Sequence, residues 1–192
     1  MIREQLRPAF ISFILFTVIT GVLYPLSVTG IAQTFFKGPA NGSLIFKNGR
    51  PVGSALIGQT FDDPRYLWGR LSATSPTPFN AASSSGSNFG PMNPDLLKAA
   101  QARIKNLKKA DPENKTPIPV DLVTASASGL DPHISPAAAE YQIPRIARAR
   151  KIPESEVRAI IHQHTQGRLF GIIAEPVVNV LEVNLHLNDY HK

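Results

Sequence analysis

Between Arg7 and Lys37 the chain carries no charge, and Ala9-Phe-Ile-Ser-Phe-Ile-Leu-Phe-Thr-Val-Ile-Thr-Gly-Val-Leu-Tyr24 is apolar around its whole helical circumference. A soluble surface helix would show a polar stripe. From Ala9 to Ile31 a helix covers roughly 35 Å, enough for a hydrocarbon core of about 30 Å with some tilt. The pattern predicts a membrane anchor over 9–36 behind a short tail, 1–8. Two alternatives compete, a buried core helix and a signal peptide cleaved near Gly30-Ile31-Ala32. Pro25 and the small residues after it imitate a cleavage region, but the run exceeds the roughly 7–15 apolar residues of a signal sequence.

Beyond the anchor the pattern predicts one α/β domain of α+β type over 37–192. Ser43–Lys47 and Arg50–Ile57 flank Asn48-Gly49, the pair that supplies the positive φ angles of a two-residue hairpin turn. A long irregular tract follows from Leu71 to Asn93, and loops of that length are usually functional or disordered. Pro94 opens a helix with Leu96, Leu97, Ala100, Ile104 and Leu107 on one face and Lys98, Arg103, Lys105, Lys108 and Lys109 on the other, stopped by Asp111-Pro112. After a second loop, Val123–Ile134, Ser135 caps an alanine-rich helix that Pro144 breaks or kinks. A further helix from about Pro153 to Gln166 turns Val157, Ile160 and Ile161 inward and stops at Gly167. Residues 177–187 fit strand alternation and helical spacing equally.

Twenty Lys+Arg against fourteen Asp+Glu leave a net charge of +6, which suits nucleic acid, anionic lipid or an acidic partner alike. The absence of cysteine excludes a disulfide framework, a thiolate nucleophile and Cys-ligated metal sites. Seventeen prolines and thirteen glycines indicate a loop-rich domain. Arg3 and Arg7 precede the apolar run, while Lys37, Lys47 and Arg50 follow it. Long domains translocate largely regardless of charge, so the tail is expected in the cytoplasm and the domain outside.

The common signatures of nucleotide, dinucleotide, esterase and zinc-protease sites are missing. His162 and His164 stand two apart on a predicted helix and point away from each other, against shared metal ligation. Asp131-Pro132-His133 with Ser126, Ser128 and Ser135 could assemble a hydrolase constellation, although Asp and Ser beside Pro and Gly more often serve turns and caps. The run Ser83–Asn88, in particular Ser85, Gly86, Ser87 and Asn88, offers N–H and hydroxyl groups to a phosphate, without a lysine at the spacing such loops use. Ile146–Ile161 imitates a helix-turn-helix. Its second helix, however, begins Glu154-Ser155-Glu156 and would meet phosphates with negative charge, so nucleic acid is not expected as a partner. Within the apolar run, Thr17 and Gly21 form a small-xxx-small pair with Thr20 beside them, a face suited to a partner helix.

Several blocks resemble the C subunit of the bacterial Kdp potassium-transporting P-type ATPase. They are Gly53-Ser-Ala-Leu-Ile-Gly-Gln-Thr-Phe61, Trp68-Gly-Arg-Leu-Ser-Ala73, Ala82-Ser-Ser-Ser-Gly-Ser-Asn88, Asp121–Ala139, Tyr141-Gln-Ile-Pro-Arg-Ile-Ala-Arg-Ala-Arg150 and Val178-Asn-Val-Leu-Glu-Val-Asn-Leu185. Gly58, Gln59, Gly69, Arg70, Gly129, Asp131, Pro132 and His133 are the loop residues that carry it. Leu71 departs from it, since the family usually places proline after Gly-Arg.

The resemblance implies a non-catalytic, single-pass subunit of an inner-membrane, high-affinity, ATP-driven potassium importer. Its partners would be a channel-like potassium-binding subunit and a P-type ATP-hydrolysing subunit. The family is described as raising the pump subunit's affinity for ATP. ATP therefore enters through the complex, and no cofactor is assigned to this chain itself. An external domain meets no cytosolic ATP, so that effect would travel as a coupling free energy of about 1–3 kcal/mol. The competing reading is a membrane-tethered hydrolase built on Asp131, His133 and the serines.

Overall fold

The computed structural model describes residues 2–190, so Met1 of the predicted tail and His191 and Lys192 of the predicted domain lie outside it. Two compact units divide between Leu44 and Ile45.

In the first unit α1 (Ile2–Val18) passes through a π-helical turn, Ile19–Leu23, into α2 (Tyr24–Phe35), followed by the short α3 (Lys37–Ala40). Glu4–Phe35, 32 residues, is long and apolar enough to cross a membrane, its most apolar 18-residue stretch having a mean hydropathy of 2.1. At about 1.5 Å per residue it measures about 48 Å, longer than the Ala9–Ile31 stretch the sequence marks out. The π turn has a local cause. Pro25 lacks an N–H, and in a regular α-helix its ring would strike the carbonyl of Gly21. Widening the preceding turn relieves that clash, and the Tyr24 N–H donates five residues back to the Ile19 carbonyl.

From the boundary residue Leu44 into the second unit runs the tight hairpin β1 (Leu44–Lys47) and β2 (Arg50–Ser54), whose turn residues Asn48 and Gly49 hold φ of 51° and 75°. β2 stops at Ser54, short of the expected Ile57, because the chain turns and the Ile57 N–H donates to the Ser54 carbonyl. In α4 (Pro94–Ala110), Asn93 accepts the Asp95 N–H as N-cap and Pro94 takes the first turn. Of the apolar face only Leu107 is buried, with Leu97 61% exposed, whereas Arg103 folds inward from the basic face.

Ser135 caps α5 (Pro136–Arg150) by accepting the Ala138 N–H at 3.1 Å. Pro144 does not break this helix. Its neighbours Tyr141–Ile143 and Arg145–Ala147 are all buried, and that packing outweighs one missing backbone bond. α6 (Glu154–Gln163) ends earlier than predicted, because Thr165–Gln166 leave the helix to form β4. The ambiguous tail is both things in succession, β5 (Val177–Asn179) and then α7 (Val180–Asp189), with Asn179 accepting the Glu182 N–H as N-cap. β5 is the middle strand of an antiparallel sheet, β3-β5-β4, where β3 is His133–Ile134. His133 pairs with Asn179 and Thr165 with Val178. Against it α5, α6 and α7 pack Ile143, Ile146, Val157, Ile160, Ile161, Val183 and Leu187. Each such burial contributes roughly 1.5–3 kcal/mol.

Candidate functional site

Most of the family-motif residues meet where three loops lock together. The Gly58 N–H donates to the Leu130 carbonyl at 2.8 Å. A Cβ on Gly58 would lie 2.4 Å from the Phe79 ring and 2.9 Å from the Asp131 carbonyl, so only glycine allows this approach. Gln59 ties the same segment to the hairpin by donating to the Val52 carbonyl. Gly129 sits at φ +69°, and a Cβ there would lie 2.5 Å from the Ser85 carbonyl. Hydroxyls complete the closure. Ser72 donates to the Gly129 carbonyl at 2.7 Å and accepts the Phe79 N–H, while Thr74 donates to the Thr77 carbonyl and accepts the Asn80 N–H.

Charge is held at the centre of this cluster. Arg70 donates to Asp131 at 3.2 Å and to the Ala125 carbonyl. The other Asp131 oxygen accepts the backbone N–H of His133 at 2.9 Å and lies 3.4 Å from its Nδ1. Burial opposes the Asp131 charge, but the His133 side-chain and backbone N–H groups and Arg70 outweigh it, holding the carboxyl below its usual range. The carbonyl of Pro132 receives the Val180 N–H, so the same turn anchors the start of α7. Leu71 pairs with Ala125 in an isolated parallel bridge, and its carbonyl, a group proline would also offer, accepts the Ser126 N–H at 2.9 Å.

Asp131 and His133 thus meet as the hydrolase reading requires, but the serines do not join them. Ser126, Ser128 and Ser135 accept the N–H groups of Gly129, Leu130 and Ala138, and His133 Nε2 is buried without a hydrogen-bond partner. None of these three hydroxyls bonds Nε2, so they form no proton relay with His133. The serine-rich run is likewise engaged, with the Ser85 N–H and the Ser84 hydroxyl both on the Ser128 carbonyl. Gly86 lies so close to Ala127 that a Cβ would meet its carbonyl at 2.6 Å. Gly86 and Ser87 line an open groove of about 530 Å³ with Phe89, Ala102, Arg103 and Asn106, while Ser85 and Asn88 do not. Among the described residues no group of three His, Asp or Glu side chains is placed to hold a metal.

Sequence reasoning missed the frame beneath these loops. The buried Gln142 amide accepts the Trp68 N–H at 2.9 Å and donates to the Trp68 carbonyl at 3.1 Å, and the buried Asn184 amide does the same for Leu67 at 2.8 and 2.9 Å. Two side chains therefore replace a neighbouring strand. Arg103 and Arg145 stand over the Trp68 ring, 5.2 and 4.2 Å from its centroid. Arg145 is only 3% exposed. Burial pushes its guanidinium down to about 10, partly offset by Asp111, and it stays charged at neutral pH. The available signal was an amide inside each of two apolar runs, Tyr141-Gln142-Ile143 and Val183-Asn184-Leu185. His164 also has unforeseen neighbours on α7, with Glu182 at 3.3 Å from Nδ1 and His186 at 3.0 Å from Nε2, while His162 is exposed.

Residues 6–189 match the family described as K+-transporting ATPase, c chain. The chain belongs to this family. A potassium-transporting ATPase KdpC subunit of Ralstonia nicotianae is 61% identical over 184 residues, covering 96% of this chain and 90% of that protein. The KdpC subunit of Dechloromonas aromatica is 59% identical over 99% of this chain and 100% of its own length. That of Herpetosiphon aurantiacus is 60% identical, with 97% and 96% covered. These KdpC relatives span the apolar helix as well as the locked loops, in agreement with the resemblance read from the sequence.

Proposed function

We propose that this chain is a non-catalytic accessory subunit of a high-affinity, ATP-driven potassium importer in the bacterial inner membrane. It stabilises the assembly and raises the affinity of the pump subunit for ATP. The observation that carries this reading is membership of the KdpC family over nearly the whole chain, anchor included. Two features of the molecule support it. The uncharged helix suits a bilayer, and the Asp131, His133 and serine groups are engaged in holding loops rather than poised for reaction. Its partners are a channel-like potassium-binding subunit and a P-type ATP-hydrolysing subunit.

The anchor is retained, the tail over 1–8 is cytoplasmic, and the domain faces outward. Any influence on nucleotide affinity therefore passes through the partners. ATPase activity of the purified complex, titrated with ATP at fixed potassium with and without this chain, tests the role. A shift of apparent ATP affinity by roughly 5- to 150-fold corresponds to a coupling of about 1–3 kcal/mol. No shift, with the complex otherwise intact, would sink the affinity role. The cysteine-free sequence makes orientation equally testable. Ser83 is exposed and sits on the locked loop, so Ser83→Cys in spheroplasts is expected to react with an impermeant maleimide without lysis. Labelling only after lysis, together with external labelling of Gln5→Cys, would reverse the topology and favour direct contact with nucleotide.

A further inference from the structure

Between β4 and β5 the chain runs Gly167-Arg-Leu-Phe-Gly-Ile-Ile-Ala-Glu175, a loop that none of the contacts described above uses. Its tip puts large apolar side chains into the open, with Leu169 58%, Phe170 83%, Ile172 81% and Ile173 53% exposed. The backbone beneath them is closed on itself. Leu169 and Ile173 exchange N–H···O bonds of 2.9 and 3.0 Å, and the N–H groups of Gly171 and Ile172 donate to the Arg168 and Leu169 carbonyls. A segment so satisfied loses little when water is removed from around it. Its shape is also set in advance, with Phe170, Gly171 and Ala174 at φ of 53°, 77° and 67°. Residues with a Cβ hold that backbone only where their surroundings impose it. At the base Arg168 and Glu175 form an exposed ion pair of 2.8 Å.

We propose that this tip is a preformed plug that seats in an apolar recess on another subunit of the same ATPase, with Arg168 and Glu175 at its polar rim. The inference rests on the subunit reading above. An apolar centre edged by paired charges is the anatomy of a protein interface, and a turn ordered beforehand lowers the entropic cost of binding. Lipid is the poorer occupant. Fluid acyl chains reward apolar area but not a pre-set shape. Arg168 is already paired with Glu175, and the tip carries no Trp, Tyr or Lys to engage the headgroup layer.

The test places a single thiol, Ile172→Cys, in the full chain, alone and assembled with its partner subunits. Each form is examined in detergent and in phosphatidylethanolamine/phosphatidylglycerol vesicles. Labelling by a water-soluble maleimide is expected to be at least about tenfold slower in the complex than in the chain alone, in both media. Equal rates would mean an open tip and overturn the plug. Protection of the isolated chain in vesicles but not in detergent would assign the tip to lipid and overturn it equally.

A second measurement uses Phe170→Asp with Ile172→Asp, changes to exposed side chains that leave the domain folded by near-ultraviolet circular dichroism. Copurification with the partner subunits is expected to fall at least about tenfold, and an unchanged yield counts against the plug. Failure of the unmodified chain to copurify at all would instead remove the subunit reading, and the plug with it.

Discussion

From Glu4 to Phe35 the backbone bonds to itself, and the hydroxyls of Thr17, Thr20, Ser27 and Thr34 turn back onto carbonyls four residues earlier, each at 2.7 Å. From Arg65 to Gly69 the backbone is bonded largely to distant side chains: Arg150 on the Arg65 carbonyl, Arg145 on that of Tyr66, Asn184 on Leu67, Gln142 on Trp68 and Arg103 on the Gly69 carbonyl. Both regions meet the rule that a backbone polar group away from water needs a partner. The helix meets it locally, so its side chains are free to answer to lipid or to a neighbouring helix. The Arg65–Gly69 segment meets it through side chains brought from far along the chain, so those polar side chains serve the backbone. Tolerance to substitution should differ accordingly.

The largest effect is expected at the locked loops. Gly129→Val forces a branched side chain into left-handed backbone and into the Ser85 carbonyl, and should cost about 3 kcal/mol or more in thermal or denaturant unfolding. Gly90→Ala, where a Cβ meets nothing within 4 Å, should stay within about 0.5 kcal/mol. Comparable costs at the two positions would break the contrast between locked and open loop.

Gln142→Leu comes next. It leaves the buried Trp68 N–H and carbonyl without partners and removes one from Arg145, for about 2–4 kcal/mol, with a shift in the fluorescence of the single tryptophan. An unshifted spectrum with full stability would show that the segment does not depend on its amide bonds.

Asp131→Asn is expected to cost about 1 kcal/mol at neutral pH, through weaker bonds to His133 and Arg70. Because the folded carboxyl titrates below its unfolded value of about 3.9, its stabilising contribution is complete above that pH. It is lost as pH falls through the folded value. Unfolding curves of the two proteins should therefore converge only below about pH 4, and convergence at higher pH would remove Asp131 as the cause.

The smallest effects belong to the helix. Thr20→Val deletes a bond made within its own helix and should change copurification with partner subunits by no more than a few tenths of a kcal/mol. Gly21→Leu, where the space around the Cα is open in the isolated chain, should reduce copurification severalfold while membrane insertion is retained. Full copurification of that variant would move the partner face elsewhere on the helix.

Periodicity and local chemistry were enough for the apolar helix, the Asn48-Gly49 hairpin, the Pro94 start of α4, the Ser135 cap and the inward face of α6, because each is set by residues within a few positions of one another. The loop residues of the site were legible only as a motif. Nothing near Gly58 in sequence indicates that Phe79 and Leu130 will crowd it, and nothing near Asp131 indicates Arg70. Local rules also erred where packing competes with them. Pro144 stays helical because both flanks are buried, and Thr165–Gln166 leave α6 to pair with β5. The split of residues 177–187 into strand and helix has the same origin. Val178 is drawn into the sheet between Ile134 and Thr165, while Asn179 caps the turn that follows. Sequence alone therefore determined the apolar N-terminal helix and the elements whose bonds close within a turn or a hairpin. Tertiary structure decided which polar residues serve the backbone, because those partners become neighbours only when the chain has folded.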